Sequence, residues 1–364
     1  MENKAQPVES ARAAAAGGPG RYAEEPLLRV EDLKVYFYMD EGTAKAVDGV
    51  SFDVYPGKVV GIVGESGCGK SVTMKAILQI LERGAKIVSG KVTLRSRLNS
   101  QDPNSLEELL ELTKLGPNSK QMRKIRGAEI ALIPQEPMAA FSPVHTVGDQ
   151  IMEAILLHQK VSKAQARQIA IEAYRSVGIS MPEQRIDAYS WELSGGLRQR
   201  AIIAMALSCN PRLLIADEPT TAIDVTTQAQ ILKLLRSLQQ ERQTSIIFIT
   251  HDLGVIAQMA DEVVVMYLGM VMEKGPVEAI FGRAQHPYTQ ALLRSIPSVQ
   301  SAPRVRLPTI AGSIAHPFNR PSGCPFHPRC AQAMHGVCNA GQPPLTQVGE
   351  GHSVSCFLYG GVHE

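Results

Sequence analysis

Apolar positions recur along this chain with two periods, and the change from one to the other predicts its elements. Leu27 to Tyr38 and Ala44 to Val54 carry the β-branched and aromatic alternation of strands and are separated by the polar turn Asp40-Glu41-Gly42, which predicts an N-terminal antiparallel layer. Val59, Val60, Ile62 and Val63 form an apolar run, and Met74, Ile77, Leu78 and Leu81 then fall at helical spacing, so a buried strand is followed by a helix. A polar, proline-containing stretch from Ser96 to Lys120 reads as a surface loop with one short helix over Ser105 to Leu115. From about residue 140 to 200 the pattern is helical, through Ile151, Ile155 and Leu156 and then Ala164 to Ser176. Leu213 to Ala216 is an apolar run of the kind found in a strand buried on both faces. Ile231, Leu234, Leu235 and Leu238 return to helical spacing, and Ser245 to Thr250 closes a βαβ unit. The apolar stretch Ile246 to Met272 is broken by His251, Asp252, Asp261 and Glu262, as strand, helix and strand require. With no uninterrupted apolar run of about 18 residues, the chain is not expected to cross a membrane itself.

The chemistry sits where the first strand run meets the first helix, at Gly64-Glu65-Ser66-Gly67-Cys68-Gly69-Lys70-Ser71. Strand, glycine-rich turn and helix come in the order of a P-loop. Gly64, Gly67 and Gly69, with Ser66, let backbone N–H groups close around phosphate oxygens; the helix N-terminus adds partial positive charge and Lys70 a full one. Ser71 is the expected Mg²⁺ ligand. Asp217 ends the run Leu213 to Ala216, so its carboxylate is expected at the same sheet edge, holding the metal's water shell. Glu218 follows it and, on an extended chain, points to the opposite side, which suits it to polarise an attacking water. His251, after the last strand run, reaches that edge too.

A second motif defines the kind of nucleotide protein. Leu193-Ser194-Gly195-Gly196-Leu197-Arg198-Gln199-Arg200 opens the helical run Ala201 to Ser208 and resembles the signature of the ATP-binding-cassette (ABC) ATPases. Leu213 to Asp217 is similar to that superfamily's Walker B strand, Thr221-Ala222-Ile223-Asp224 to its D-loop, Gln135 to its Q-loop glutamine and His251 to its switch histidine. The resemblance implies an α/β fold, a P-loop NTPase ABC cassette with a RecA-like core, an N-terminal antiparallel β layer and a helical signature subdomain, within residues 26–280. It implies ATP and Mg²⁺ at one site, with Gln135 joining Ser71 and Asp217 around the metal and Glu218 and His251 at the γ-phosphate. Among Tyr36, Phe37 and Tyr38, Phe37 aligns best with the aromatic residue that stacks on adenine. In this superfamily ATP lies between the P-loop of one subunit and the signature of another, so Ser194, Gly195, Gly196 and Asp224 would serve a partner's nucleotide.

His286-Pro287-Tyr288-Thr289-Gln290-Ala291-Leu292-Leu293 and Gly323-Cys324-Pro325-Phe326-His327-Pro328-Arg329-Cys330 resemble the C-terminal extension of ATPases that drive bacterial dipeptide and oligopeptide importers. They imply a small Cys-rich extension over residues 281–364, expected to lie apart from the nucleotide core. Cys324, Cys330, Cys338 and Cys356 crowd a segment rich in Pro, Gly and His, which needs a staple. In a reducing compartment four thiolates suit Zn²⁺ or an iron–sulfur cluster. Relatives with this spacing carry a [4Fe–4S] cluster; Zn²⁺ and unmetallated free thiols stay open, with His327, His335 and His352 as further zinc donors, each more in keeping with a surface residue. The implied partners are a second related ATPase, two membrane permease subunits and, indirectly, a substrate-binding protein, at the cytoplasmic face of the bacterial inner membrane.

Composition limits the alternatives. A formal net charge of +2 over 364 residues implies no nucleic-acid partner. Residues 1–25 are polar and small without a secretory apolar core and read as a disordered tail; Glu2, Glu9, Glu24 and Glu25 disfavour a transit peptide. The Phe141-Ser142-Pro143-Val144-His145 segment departs from the Leu-Asn-Pro common in relatives, as does Ile223 from Leu, and neither change removes a catalytic group. A nickel, opine or glycoside importer would share every catalytic motif, an exporter would not be expected to carry the cysteines, and a soluble non-transport P-loop ATPase is the alternative of a different class.

Overall fold

The computed structural model describes residues 25–97, 107–136, 140–221, 223–296 and 309–360. The expected tail and Ala222 of the D-loop lie outside them, apart from Glu25. Two sheets organise the fold. The N-terminal antiparallel layer contains β1 (Leu28–Met39), β2 (Gly42–Val54), β4 (Ala85–Ser96) and β5 (Glu108–Glu111) in the order β2-β1-β4-β5. The second sheet has eight strands, in the order β11-β12-β10-β9-β3-β8-β7-β6. Its parallel centre is β3 (Val59–Val63), β6 (Ile130–Ile133), β7 (Leu213–Asp217), β8 (Ser245–Ile249) and β9 (Glu262–Tyr267). All residues of β3, β7 and β8 are buried, as strands covered on both faces must be. Their side chains alternate between two cores: Val60, Ile62 and Ile215 face the N-terminal layer, while Val59, Val63, Leu214 and Ala216 face the helical side.

Helices α1 (Lys70–Ile77) and α2 (Lys120–Ala128) precede β6, and α3 (Val147–His158), α4 (Lys163–Ser176) and α5 (Gly195–Leu207) lie between β6 and β7. A helix α6 (Val225–Arg242) connects β7 to β8, and α7 (Leu253–Met259) connects β8 to β9. Polar residues fix where several of these begin: Thr146, Ser162, Ser194, Asp224 and Asp252 each accept a hydrogen bond from a first-turn N–H of the helix they precede.

The chain then turns back on itself. β10 (Met270–Pro276) pairs antiparallel with β9, helices α8 (Val277–Arg283) and α9 (Pro287–Arg294) follow, and the hairpin of β11 (Leu345–Gly349) and β12 (His352–Ser355) adds to the free edge of β10. The expected separation of the C-terminal segment from the core is therefore corrected, because its strands extend the same sheet. The helix expected over Ser105 to Leu115 is also absent from the described part of that range. Glu108–Glu111 pairs instead with β4, and a single 3₁₀ turn follows at Leu112–Lys114. Hydrogen bonding along an available sheet edge outweighs the helix preference of Glu and Leu.

Candidate nucleotide site

The parallel strands deliver their C-terminal ends to one edge, and the candidate residues lie there. Gly64 follows β3, Asp217 ends β7, His251 follows β8 and Gln135 follows β6. The loop glycines are needed for space. An added Cβ would meet Met266 O at 2.1 Å from Gly64 and Ala46 O at 2.3 Å from Gly69, whereas at Gly67 it would meet nothing within 4 Å. The first two let the loop press on its own fold, and Gly67 leaves its outer side open. Buried Lys70 donates from Nζ to Gly64 O at 2.8 Å and Glu65 O at 3.1 Å, folding its charge back over the loop.

Asp217 is buried, and burial raises its carboxyl above the usual range against the opposing hydrogen bond of Ser71. Its Oδ1 has no hydrogen-bond partner among the described residues. A buried, unsatisfied carboxylate oxygen beside a serine hydroxyl is a hard-oxygen donor set of the kind Mg²⁺ takes, with phosphates and water completing the shell.

Glu218 is the meeting point of the remaining predicted groups. Gln135 Nε2 donates to its Oε2 at 3.3 Å, Thr221 Oγ1 donates to the same oxygen at 2.9 Å, and His251 Nδ1 lies 3.3 Å from Oε1. The reason given for its orientation needs correction. Glu218 has φ of 47°, so the chain leaves the strand here in the left-handed region and the alternation of an extended chain does not apply. A non-glycine residue in this conformation costs about 1–3 kcal/mol and persists where its surroundings over-determine it. Here Gln199, fully buried on α5, holds the adjacent turn by donating to Pro219 O at 2.7 Å.

Ser194 makes no hydrogen bond to this cluster among the described contacts. Ser194 caps α5 through Leu197 N, an added Cβ at Gly195 would meet nothing within 4 Å, and one at Gly196 would meet Thr227 Cγ2 at 3.1 Å. Asp224 caps α6. Phe37 lines a cavity that reaches Gly67, whereas Tyr38 is exposed beside Lys86.

Sequence reasoning missed a second set of contacts, to Glu65. Its carboxylate accepts from Arg329 at 2.7 and 3.1 Å, and its N–H donates to Tyr288 Oη at 3.0 Å. Burial alone would lower the Arg329 guanidinium, but the Glu65 carboxylate outweighs it and raises it. Tyr267, Tyr288 and Phe326 pack behind them with ring centroids 4.8 to 5.4 Å apart. The Tyr288 and Arg329 motifs were visible in the sequence, yet no local pattern could aim them at residue 65.

The metal reading of the cysteines is overturned. Cys324, Cys330, Cys338 and Cys356 line one small cavity together with Phe326 and Phe357. Among the described residues no group of three or more His, Cys, Asp or Glu is placed to hold a metal ion, which removes Zn²⁺ as well as [4Fe–4S]. Burial pushes the Cys324 thiol up to about 11 and raises Cys330 and Cys356. Cys324 and Cys338 act as small apolar filler beside Phe326. His352 is not at the surface: it is buried, with Nε2 2.7 Å from the Glu273 carboxylate.

Comparison with known proteins agrees with the geometry. The ABC transporter family matches residues 47–221, and the oligopeptide/dipeptide transporter C-terminal region matches residues 272–338. The oligopeptide transport ATP-binding protein AppD of Bacillus subtilis is 46% identical over 334 residues, covering 92% of this chain and 97% of that one. The dipeptide transport ATP-binding protein DppD of Escherichia coli is 44% identical over 330 residues, 91% of this chain and 96% of that one. Among solved structures, cbiO1 of Clostridium perfringens, part of an ABC transporter complex, has a TM-score of 0.57 at 26% identity over 71% of this chain and 92% of that one. A dimeric bacterial ABC transporter cassette shares the fold, with a TM-score of 0.58 at 24% identity over 69% of this chain and 98% of that one. A phosphate loop, a metal-ready aspartate and a tethered glutamate on one sheet edge, in a chain so similar to these relatives end to end, place it in the family of peptide ABC transporter ATP-binding proteins.

Proposed function

We propose that this chain hydrolyses ATP to power uptake of dipeptides or oligopeptides through a membrane importer, as the names of its relatives indicate. The observation that carries the catalytic part is the convergence on Glu218 of Gln135, Thr221 and His251, beside the bare oxygen of Asp217. Backbone N–H groups of the loop, other than those of Glu65 and Cys68, and the Lys70 ammonium hold the phosphates. Ser71, Asp217 and Gln135 are the residues that would hold Mg²⁺, which when bound offsets charge on the transferring phosphoryl group. Glu218, its carboxylate fixed from three sides, polarises the attacking water, and His251 borders the γ-phosphate.

Ser194, Gly195, Gly196 and Asp224 serve the nucleotide of a second, related ATPase, a reading supported by the open side of Gly195. The pair docks on two permease subunits at the cytoplasmic face of the inner membrane. Among the described residues no helix is long and apolar enough to cross a membrane, which is consistent with peripheral attachment. Residues 26–280 form the cassette, with its helical subdomain over about 140–200, and 281–364 the extension; the C-terminal family match spans this junction. Glu218→Gln tests the reading. ATP binding stays near normal while phosphate release falls roughly 10²- to 10⁴-fold, the range for a lost general base, and near-wild-type turnover would remove Glu218 from that role.

A further inference from the structure

A cavity of about 680 Å³ opens beside the phosphate loop, and only part of its wall belongs to the cassette. Phe37 and Ala46 line it from the strands, Leu268 from the β9–β10 turn, and Gly67 joins it to the loop. Met39, Glu41, Ala44 and Lys45 add to that side, and the C-terminal segment supplies the rest through His316, Pro317, Phe318 and Arg320, around the 3₁₀ turn Pro317–Asn319. The His316 and Phe318 rings lie 5.1 Å apart, and Phe318 sits against the β1–β2 turn, where an added Cβ on Gly42 would come within 3.9 Å of it.

The turn is anchored. Arg320, next along the chain, donates to Asp48 Oδ2 at 2.8 Å with both side chains largely buried, and Asp48 accepts from Tyr36 Oη at 2.9 Å. The other terminal nitrogen of Arg320 is buried without a hydrogen-bond partner among the described residues. The wall is therefore fixed to the strand that carries Phe37 and presents a flat aromatic face plus one unspent donor.

We infer that the His316–Arg320 segment completes the base-binding half of this chain's own nucleotide site, Phe318 packing on the adenine face and Arg320 holding the wall in place. The inference rests on the reading of Gly64 to Ser71 as the phosphate site. A ligand whose phosphates sit on that loop extends its base past Gly67 into the cavity. The volume falls in the range of about 300–1,000 Å³ usual for small-molecule sites, and aromatic faces suit a purine. The C-terminal segment thus contributes to selecting a nucleotide over other polyphosphates.

The test compares ATP with inorganic tripolyphosphate, both with Mg²⁺, on the full chain by calorimetry. Phe318→Ala weakens ATP about tenfold, the loss of one stacked ring, and leaves tripolyphosphate unchanged; Lys70→Ala weakens both. Phe318→Trp retains ATP affinity. Since the chain has one tryptophan, the same substitution in a Trp191→Phe background gives an indole whose emission changes with ATP and not with tripolyphosphate. Unchanged ATP affinity in Phe318→Ala, equal loss of both ligands, or an indole blind to ATP would overturn the inference. A wild-type chain that binds neither ligand would instead overturn the phosphate-site reading beneath it.

Discussion

At the scale of single residues, the site divides into groups that act by charge and groups that hold others in place. Glu65 belongs to the second kind. Its position in the loop makes it look like a phosphate neighbour, yet its carboxylate points away to Arg329, whose side chain is only 6% exposed. The pair ties the phosphate loop to a residue 264 positions along the chain. Glu65→Gln and Arg329→Gln should each raise the KM for ATP several-fold with less effect on kcat, since a looser loop binds the ground state less well. The double variant should lose little more than either single one, with a coupling of about 0.5–3 kcal/mol in the cycle. Strict additivity in ATP binding would show that the contact does not shape the loop. Glu218 illustrates a limit of local reasoning: its identity was legible from the Asp217-Glu218-Pro219 context, but neither its left-handed backbone nor the contacts of its carboxylate to Thr221 and Gln135 are contained in a spacing rule.

Among the elements, those set by periodic burial were legible and those set by distant pairing were not. β3, β7 and β8 announce themselves as apolar runs because both faces are covered, and the helices between them by caps and spacing. The β11–β12 hairpin reads as polar and Gly-rich, since only its β12 strand is buried. What seats it is Glu273, fully buried on β10. Burial would raise this carboxyl, but His352 and the N–H groups of Gln285 and His286 outweigh that and hold it below the usual range. Its stabilisation is present above about pH 4.3 and lost only as pH falls through its lowered value. Neighbouring His286 behaves differently, because burial lowers it to about 4. The unfolded state then binds the extra proton from about pH 6.5 downward, so stability should fall as pH drops from about 6.5 towards 4 and level off below. The loss is on the order of 3 kcal/mol. Urea denaturation across that window measures it. His286→Asn keeps the acceptor that caps α9 and should flatten the slope, and a slope unchanged by the substitution would assign it to other groups.

For the whole molecule, the candidate residues at the strand ends were legible, from Gly64 to Ser71 and on to Gln135, Asp217, Glu218 and His251, whereas the contacts of Tyr288 and Arg329 to Glu65, arriving from across the fold, were not. The same reasoning extends to the partner. Ser194 sits at the start of α5 with open space beside Gly195 and no hydrogen bond to the phosphate loop among the described contacts. In a complex where one subunit carries Ser194→Ala, hydrolysis should fall at the site holding the other subunit's lysine and glutamate, while ATP binding to the altered subunit persists. Its lost cap costs about 1 kcal/mol, so a thermal melt should accompany the assay, and a defect confined to the altered subunit's own site would argue against shared sites. The pairing of β12 with β10 has one more consequence. An uncovered β10 would offer a row of free N–H and C=O groups at the rim of an eight-stranded sheet, the kind of template on which a second chain can add. The C-terminal hairpin therefore hands the rim to the short β11, and melting it from its Glu273–Val354 and Lys274–Ser353 register would bare the longer β10 edge to another chain.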